Sequence, residues 1–132
     1  MVASARVTME WANGEYLFVL LGAQIEALES ECVNPETGKP GVGIAEIFTR
    51  IMGMRWYRSD VMNVIRLGLI GGGMGAVEAN RLVRDYAETV PLSSINPTVG
   101  PNSPLVVAQT IISACVAGVG SSSEGNVLTP EE

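Results

Sequence analysis

The chain has 132 residues, 47% of them hydrophobic, with fourteen acids against eight bases and a net charge of −6. That is enough chain for one self-supporting core. The absence of histidine removes Ser–His and Cys–His catalysis and histidine metal ligation, and the acidic balance is poorly suited to a phosphate backbone, so no nucleic-acid partner is expected.

Residues Met1 to Arg6 show no basic region leading into an apolar run, so no signal peptide is read there. The first predicted element is a β-hairpin. Asn13-Gly14 is a two-residue turn signal, and centring the turn there sets Trp11 opposite Tyr16, Met9 opposite Phe18 and Val7 opposite Leu20. These residues share one face because strand side chains alternate with period two. A lone two-stranded hairpin is barely stable, so this aromatic face must rest on helices.

Gly22 to Glu31 reads as a short helix with Leu21, Ile25 and Leu28 as its apolar stripe and Glu26, Glu29 and Glu31 as a solvated acidic side. Turn residues make 34–41 a loop. A second helix spans about Gly43 to Met52, burying Ile44, Ile47, Phe48 and Ile51, and Gly53 stops it. Ser59 or Asp60 can cap a third helix whose core side includes Val61, Val64, Ile65 and Ile70. Gly71 to Gly75 end that element. A fourth helix from Ala76 to Thr89 has Val77, Leu82, Val83 and Tyr86 on its apolar side. Leu92 to Pro104 is a proline-rich loop, and Pro104 opens a last helix that is apolar on most sides, as a central core helix would be. The longest apolar stretch, Leu105 to Val119, is shorter than the roughly 20 residues a membrane span requires, so no membrane partner is expected. The predicted fold is α+β, mostly α: an N-terminal β-hairpin packed on a bundle of about five helices. It forms a single domain over 1–119, followed by a disordered acidic tail over 120–132.

Three groups invite a chemical reading. Cys32 and Cys115 are far apart in sequence and make neither a redox motif nor a zinc site, so they read as small buried hydrophobes and no metal is expected. Ile65 to Ala79 can be parsed as a strand, then Gly71-x-Gly73-x-x-Ala76, then a helix, which is dinucleotide-binding spacing. However, the segment after that helix is too short and proline-broken for the second strand such a unit needs, so a helix stop with a flexible joint is the preferred reading and no cofactor is expected. Met52, Met54, Trp56, Tyr57 and Met74 cluster around the two glycine joints flanking the third helix. Methionine adapts to varied apolar surfaces and Trp and Tyr serve as anchors, so these five are the candidate partner-binding residues, with core filling as the plain alternative.

The order of features carries a resemblance. Arg6-Val7-Thr8-Met9-Glu10-Trp11 leads through Asn13-Gly14 to Tyr16-Leu17-Phe18, then to Leu21-Gly22-Ala23-Gln24-Ile25-Glu26-Ala27-Leu28-Glu29. Later come Ile65-Arg66-Leu67-Gly68-Leu69-Ile70-Gly71-Gly72-Gly73 and Ala79-x-x-Leu82-Val83-x-x-Tyr86. This resembles the small tail protein encoded in gene transfer agents and related siphophages, a family labelled either tail tube protein or tail assembly chaperone. The resemblance covers about Ala5 to Pro91, and the loops 34–41 and 92–104 look longer than in that family. It implies a phage-type tail assembly protein that binds the tape measure protein or other tail proteins, with no catalytic residues and no enzymatic activity. The setting it implies is cytoplasmic assembly or association with the virion. A tube subunit needs strands to line a lumen, whereas this sequence offers one hairpin and about five helices, so the chaperone label fits it better. The alternatives are a dinucleotide-binding, oxidoreductase-like module using Gly71, Gly73 and Ala76, a minor structural tail component, and a homo-oligomeric adaptor.

Overall fold

A computed structural model describes residues 3–93 and 102–120. Strand β1 (Ala3–Ser4) is followed by the hairpin strands β2 (Arg6–Trp11) and β3 (Gly14–Val19), then helices α1 (Ala23–Glu31), α2 (Ile44–Met52), α3 (Arg58–Gly71) and α4 (Ala76–Val83). Helix α4 runs on into a π-helical turn over Arg84–Glu88. Helix α5 (Pro104–Ala117) and strand β4 (Val119–Gly120) complete the chain. The architecture is α+β and mostly α, as expected. The predicted tail lies outside the described residues apart from Gly120, which pairs with Ala3 as β4 lies antiparallel to β1.

The hairpin forms, but its register differs from the predicted one. Trp11 pairs with Gly14, Met9 with Tyr16 and Val7 with Phe18, so the turn residues are Ala12 and Asn13. Positive φ falls on Ala12, at 57°, the sign pattern of a type II′ turn. This register places glycine opposite the indole of Trp11, and the Asn13 side chain accepts the Tyr16 hydroxyl hydrogen bond. The pairing moves by two residues, so the aromatic face keeps its members. Trp11 and Phe18 are fully buried and Tyr16 half-buried. The Trp11 ring meets Tyr16, Phe18 and, from the π-helical turn, Tyr86 at centroid distances of 6.4, 6.4 and 6.2 Å.

Helix α3 is the centre of the molecule and packs against β3, α1, α4 and α5. Its last residues are glycine for a steric reason. A Cβ on Gly71 would lie 1.9 Å from the Val19 carbonyl oxygen, and one on Gly72 would lie 2.1 Å from that of Leu17. The helix end therefore sits directly on the backbone of β3. Ile65 to Ile70 is helix, so the strand–glycine–helix unit that a dinucleotide site requires does not form; Gly72 caps α3 and Gly75 precedes α4.

Several local expectations need correction. Leu21 is 51% exposed because it precedes α1, and Leu20 takes the buried place. Val77 is exposed because it lies across the helix from Ala79, Leu82 and Val83, which face the core. Ile70 is only half-buried. The acids of α1 are not a free solvated side. A Glu29 carboxylate oxygen accepts the Ile44 N–H at 2.8 Å, closing the N-terminus of α2, and Glu31 pairs with Arg66. Ser59 does not cap α3; Tyr57 takes the N-cap position, and Asp60, three residues inside, accepts its free N–H at 2.9 Å and so does part of the expected capping. Ser103 does cap α5, its hydroxyl accepting from the Val106 N–H at 3.2 Å. No helix among the described residues is long and apolar enough to cross a membrane.

Candidate functional site

The joint between α2 and α3 is built around a buried ion pair. Ile47 and Ile51 face the core from α2, and Arg50 lies on the same side. Its guanidinium is 3% exposed and meets the fully buried Asp60 through two hydrogen bonds, Nε to Oδ2 at 3.0 Å and Nη2 to Oδ1 at 2.7 Å. Nη1 donates to the Val33 carbonyl at 2.8 Å. Asp60 Oδ2 also accepts the Tyr57 N–H at 2.9 Å, and the Tyr57 ring lies 4.9 Å from the guanidinium carbon. With both charges paired and their hydrogen bonds directed, the pair locks the end of α2 to the start of α3. The adjacent Cys32 thiol is pushed up to about 12, first by burial and next by the nearby Asp60 carboxylate.

The chain between these anchors is forced into a tight turn. Gly53 caps α2, and the Arg55 N–H reaches back to the Arg50 carbonyl at 2.8 Å. This is the Schellman pattern, in which the residue at the left-handed position is usually glycine. Here it is Met54, with φ 62°, and its side chain is 60% exposed. Met52 and Tyr57 on either side are 42% and 40% exposed. Gly53 itself has ordinary negative φ, so the strained position is one residue later than the sequence reading placed the helix stop.

The five predicted partner residues do not form one cluster. Met52, Met54, Trp56 and Tyr57 lie at the N-terminal end of α3. Met74 lies beyond its C-terminal end, about 20 Å away along a 14-residue helix, and packs against the core. Trp56 is half-buried, and its Nε1 is buried without a hydrogen-bond partner among the described residues. The exposed apolar side chains at the joint are thus Met52, Met54 and Tyr57, with Arg55 and Arg58 exposed among them.

Sequence reasoning missed Arg50–Asp60. The available signal was an arginine three residues after Ile47, on the apolar side of an otherwise regular helix. It also missed the outward side of α5, where Val106 and Val116 are 41% and 48% exposed and Gln109, Thr110 and Ser113 lie between them half-buried. Those three polar residues in an apolar run were the sign that α5 has a solvent-facing side.

A protein-family model described as "Phage tail tube protein, GTA-gp10" matches residues 4–100. No curated protein and no solved structure matches the chain. The family match extends from β1 through the hairpin, the joint and α4, and the chain belongs to this phage tail family.

Proposed function

We propose that this member of the phage tail tube family acts in tail assembly as a chaperone, holding an apolar helix of the tape measure protein at the α2–α3 joint without performing chemistry. The observation that carries the reading is Met54. A large apolar side chain is held 60% exposed on a left-handed residue, where glycine would be cheaper. Backbone strain kept under an exposed side chain supports a role for that side chain. Met52 and Tyr57 extend the surface, and methionine suits it to varied apolar segments. In this reading the complex forms in the cytoplasm, before the tail is complete.

The family description favours a second reading, a subunit of the tail itself. Against it, the described residues form only two two-stranded ribbons, few strands for the wall of a tube. Co-expression with the tape measure protein tests both. Met54→Gly removes the side chain and relieves the turn, so the variant should be at least as stable as the parent yet lose the tape measure protein from solution; Met52→Ser should act in the same direction. If both variants fold and still hold the partner soluble, the surface is misplaced. Recovery of the chain from finished particles in ring-like stoichiometry would establish the structural reading instead.

A further inference from the structure

The exposed charge at the α2–α3 joint has the opposite sign to that of the chain. The whole protein carries −6, yet from Ile47 to Val77 the one acid is Asp60, which is fully buried and taken by Arg50. Arg55 and Arg58 are both exposed in that stretch, among Met52, Met54 and Tyr57. The ion pairs among the described residues are Arg50–Asp60, Arg66–Glu31, Arg81–Glu78 and Arg84–Asp85, so neither of the two joint arginines enters one. Arg6 and Lys39 also stand outside these pairs, but they lie in β2 and in the loop after α1. Arg58 Nη2 donates to the backbone carbonyl of Glu88, not to its carboxylate. Helix α5 adds no charge beside the joint. Met52 borders a depression of about 320 Å³ lined also by Gln109, Thr110 and Ser113, and Gln109 Nε2 lies 3.8 Å from Met54 Sδ.

We infer that the segment received at this joint is acidic: an amphipathic helix with carboxylates bordering its apolar stripe. This rests on the chaperone reading and specifies which kind of helix that site selects. Met52, Met54 and the uncharged depression suit the apolar stripe. The arginines at the border carry a charge that no carboxylate among the described residues answers, and a guanidinium is matched best by a carboxylate fork. A basic helix would bring like charges onto Arg55 and Arg58, so the same two residues exclude it. The net −6 does not exclude an acidic segment. At physiological salt, exposed charges more than about 8 Å apart are largely screened, whereas charges in contact are not. Glu46, the last acid before the joint, already lies about 9 Å from Met52 along α2. An anionic lipid surface offers the same charge over a wide plane, and there the fourteen acids of the chain oppose approach; a single helix meets only the patch.

The experiment tiles the tape measure protein in overlapping peptides of about 20 residues, each about 30 Å long as helix, and measures their binding to the folded chain by fluorescence anisotropy. The peptides captured should combine apolar residues at helix spacing with net negative charge, and their affinity should fall about threefold or more as salt rises from about 0.05 to 0.5 M. In the tightest of them, replacing the bordering acids with lysine should weaken binding about fivefold, and Arg55→Glu in the protein should do the same. Combining the two reversals should restore affinity to within about twofold, which a merely structural role of Arg55 would not produce. Should Arg55→Glu lose its circular dichroism, Arg55→Gln decides: it should lower the preference for the acidic peptide over its lysine version about twofold or more. Captured peptides that are neutral or basic, or a folded Arg55 variant that keeps the full preference, overturn the inference and leave the chaperone reading standing. Capture of no peptide, or capture unaffected by Met54→Gly, strikes the chaperone reading and the inference with it. Binding to phosphatidylserine vesicles in place of every peptide would assign the patch to a lipid surface and overturn both.

Discussion

Replacing Asp60 with alanine should be among the most damaging single changes in the protein. The substitution removes both acceptors of the Arg50 guanidinium and leaves a cation 3% exposed, with the Val33 carbonyl as its remaining hydrogen-bond acceptor. Breaking a buried pair in this way costs about 3–5 kcal/mol, since the surviving charge stays desolvated without compensation. The Tyr57 N–H at the start of α3 loses its acceptor as well, which adds about 1 kcal/mol. Against the roughly 5–15 kcal/mol of a typical domain, that is a large fraction. Arg50→Met alone should cost similarly, because Asp60 is then the buried orphan. The double variant Arg50→Met/Asp60→Leu should recover most of the loss, as it removes both charges and fills the space. Urea unfolding of the parent, Arg50→Met, Asp60→Leu and the double variant closes the cycle, with Asp60→Ala measured beside them. A single-variant loss below about 1 kcal/mol, or strictly additive losses, would refute the claim that this pair is what binds α2 to α3.

Gly72→Ala should cost about 3 kcal/mol or more, because its Cβ would meet the Leu17 carbonyl at 2.1 Å, whereas Gly75→Ala, with nothing within 4 Å, should lie within about 0.5 kcal/mol of the parent in the same assay. Ala12→Gly should stabilise the protein by about 0.5–1 kcal/mol, since relief of a left-handed alanine outweighs the entropy glycine adds to the unfolded chain; a lower urea midpoint would contradict the turn assignment. The Cys32 thiol binds its proton more tightly folded than unfolded, so its contribution is intact below the ordinary value of 9.0 and is lost as pH rises toward about 12. Cys32→Ala should therefore flatten the decline in stability between pH 9 and 11, where the thiol accounts for up to about 1.4 kcal/mol per unit, and parallel declines in parent and variant would refute this.

The elements that were legible in the sequence are those set by local periodicity. Ile47 and Ile51, Leu82 and Val83, and Pro104 each mark their helix without tertiary information. The hairpin shows the limit of such reading. The dipeptide Asn13-Gly14 announces a turn, but the register is decided by what must fit against Trp11, and that is a tertiary fact. The same applies to Gly71 and Gly72, whose spacing mimics a phosphate loop although their role is to let a helix end touch a strand. At the candidate site, the exposure of Met52, Met54 and Tyr57 and the departure of Met74 follow from where α3 begins and ends, so one cluster in sequence becomes two places in space.

The short ribbon of β1 and β4 has an engineering consequence. Ala3 lies opposite Gly120, so the two ends of the described fold are already neighbours across one antiparallel pair. A linker of a few residues could join them with little loop-closure entropy, and new termini could open at Thr37-Gly38, in the exposed turn between α1 and α2. Such a circular permutant would keep the hairpin, the α3 centre and the Arg50–Asp60 lock while moving the chain ends to the turn between α1 and α2.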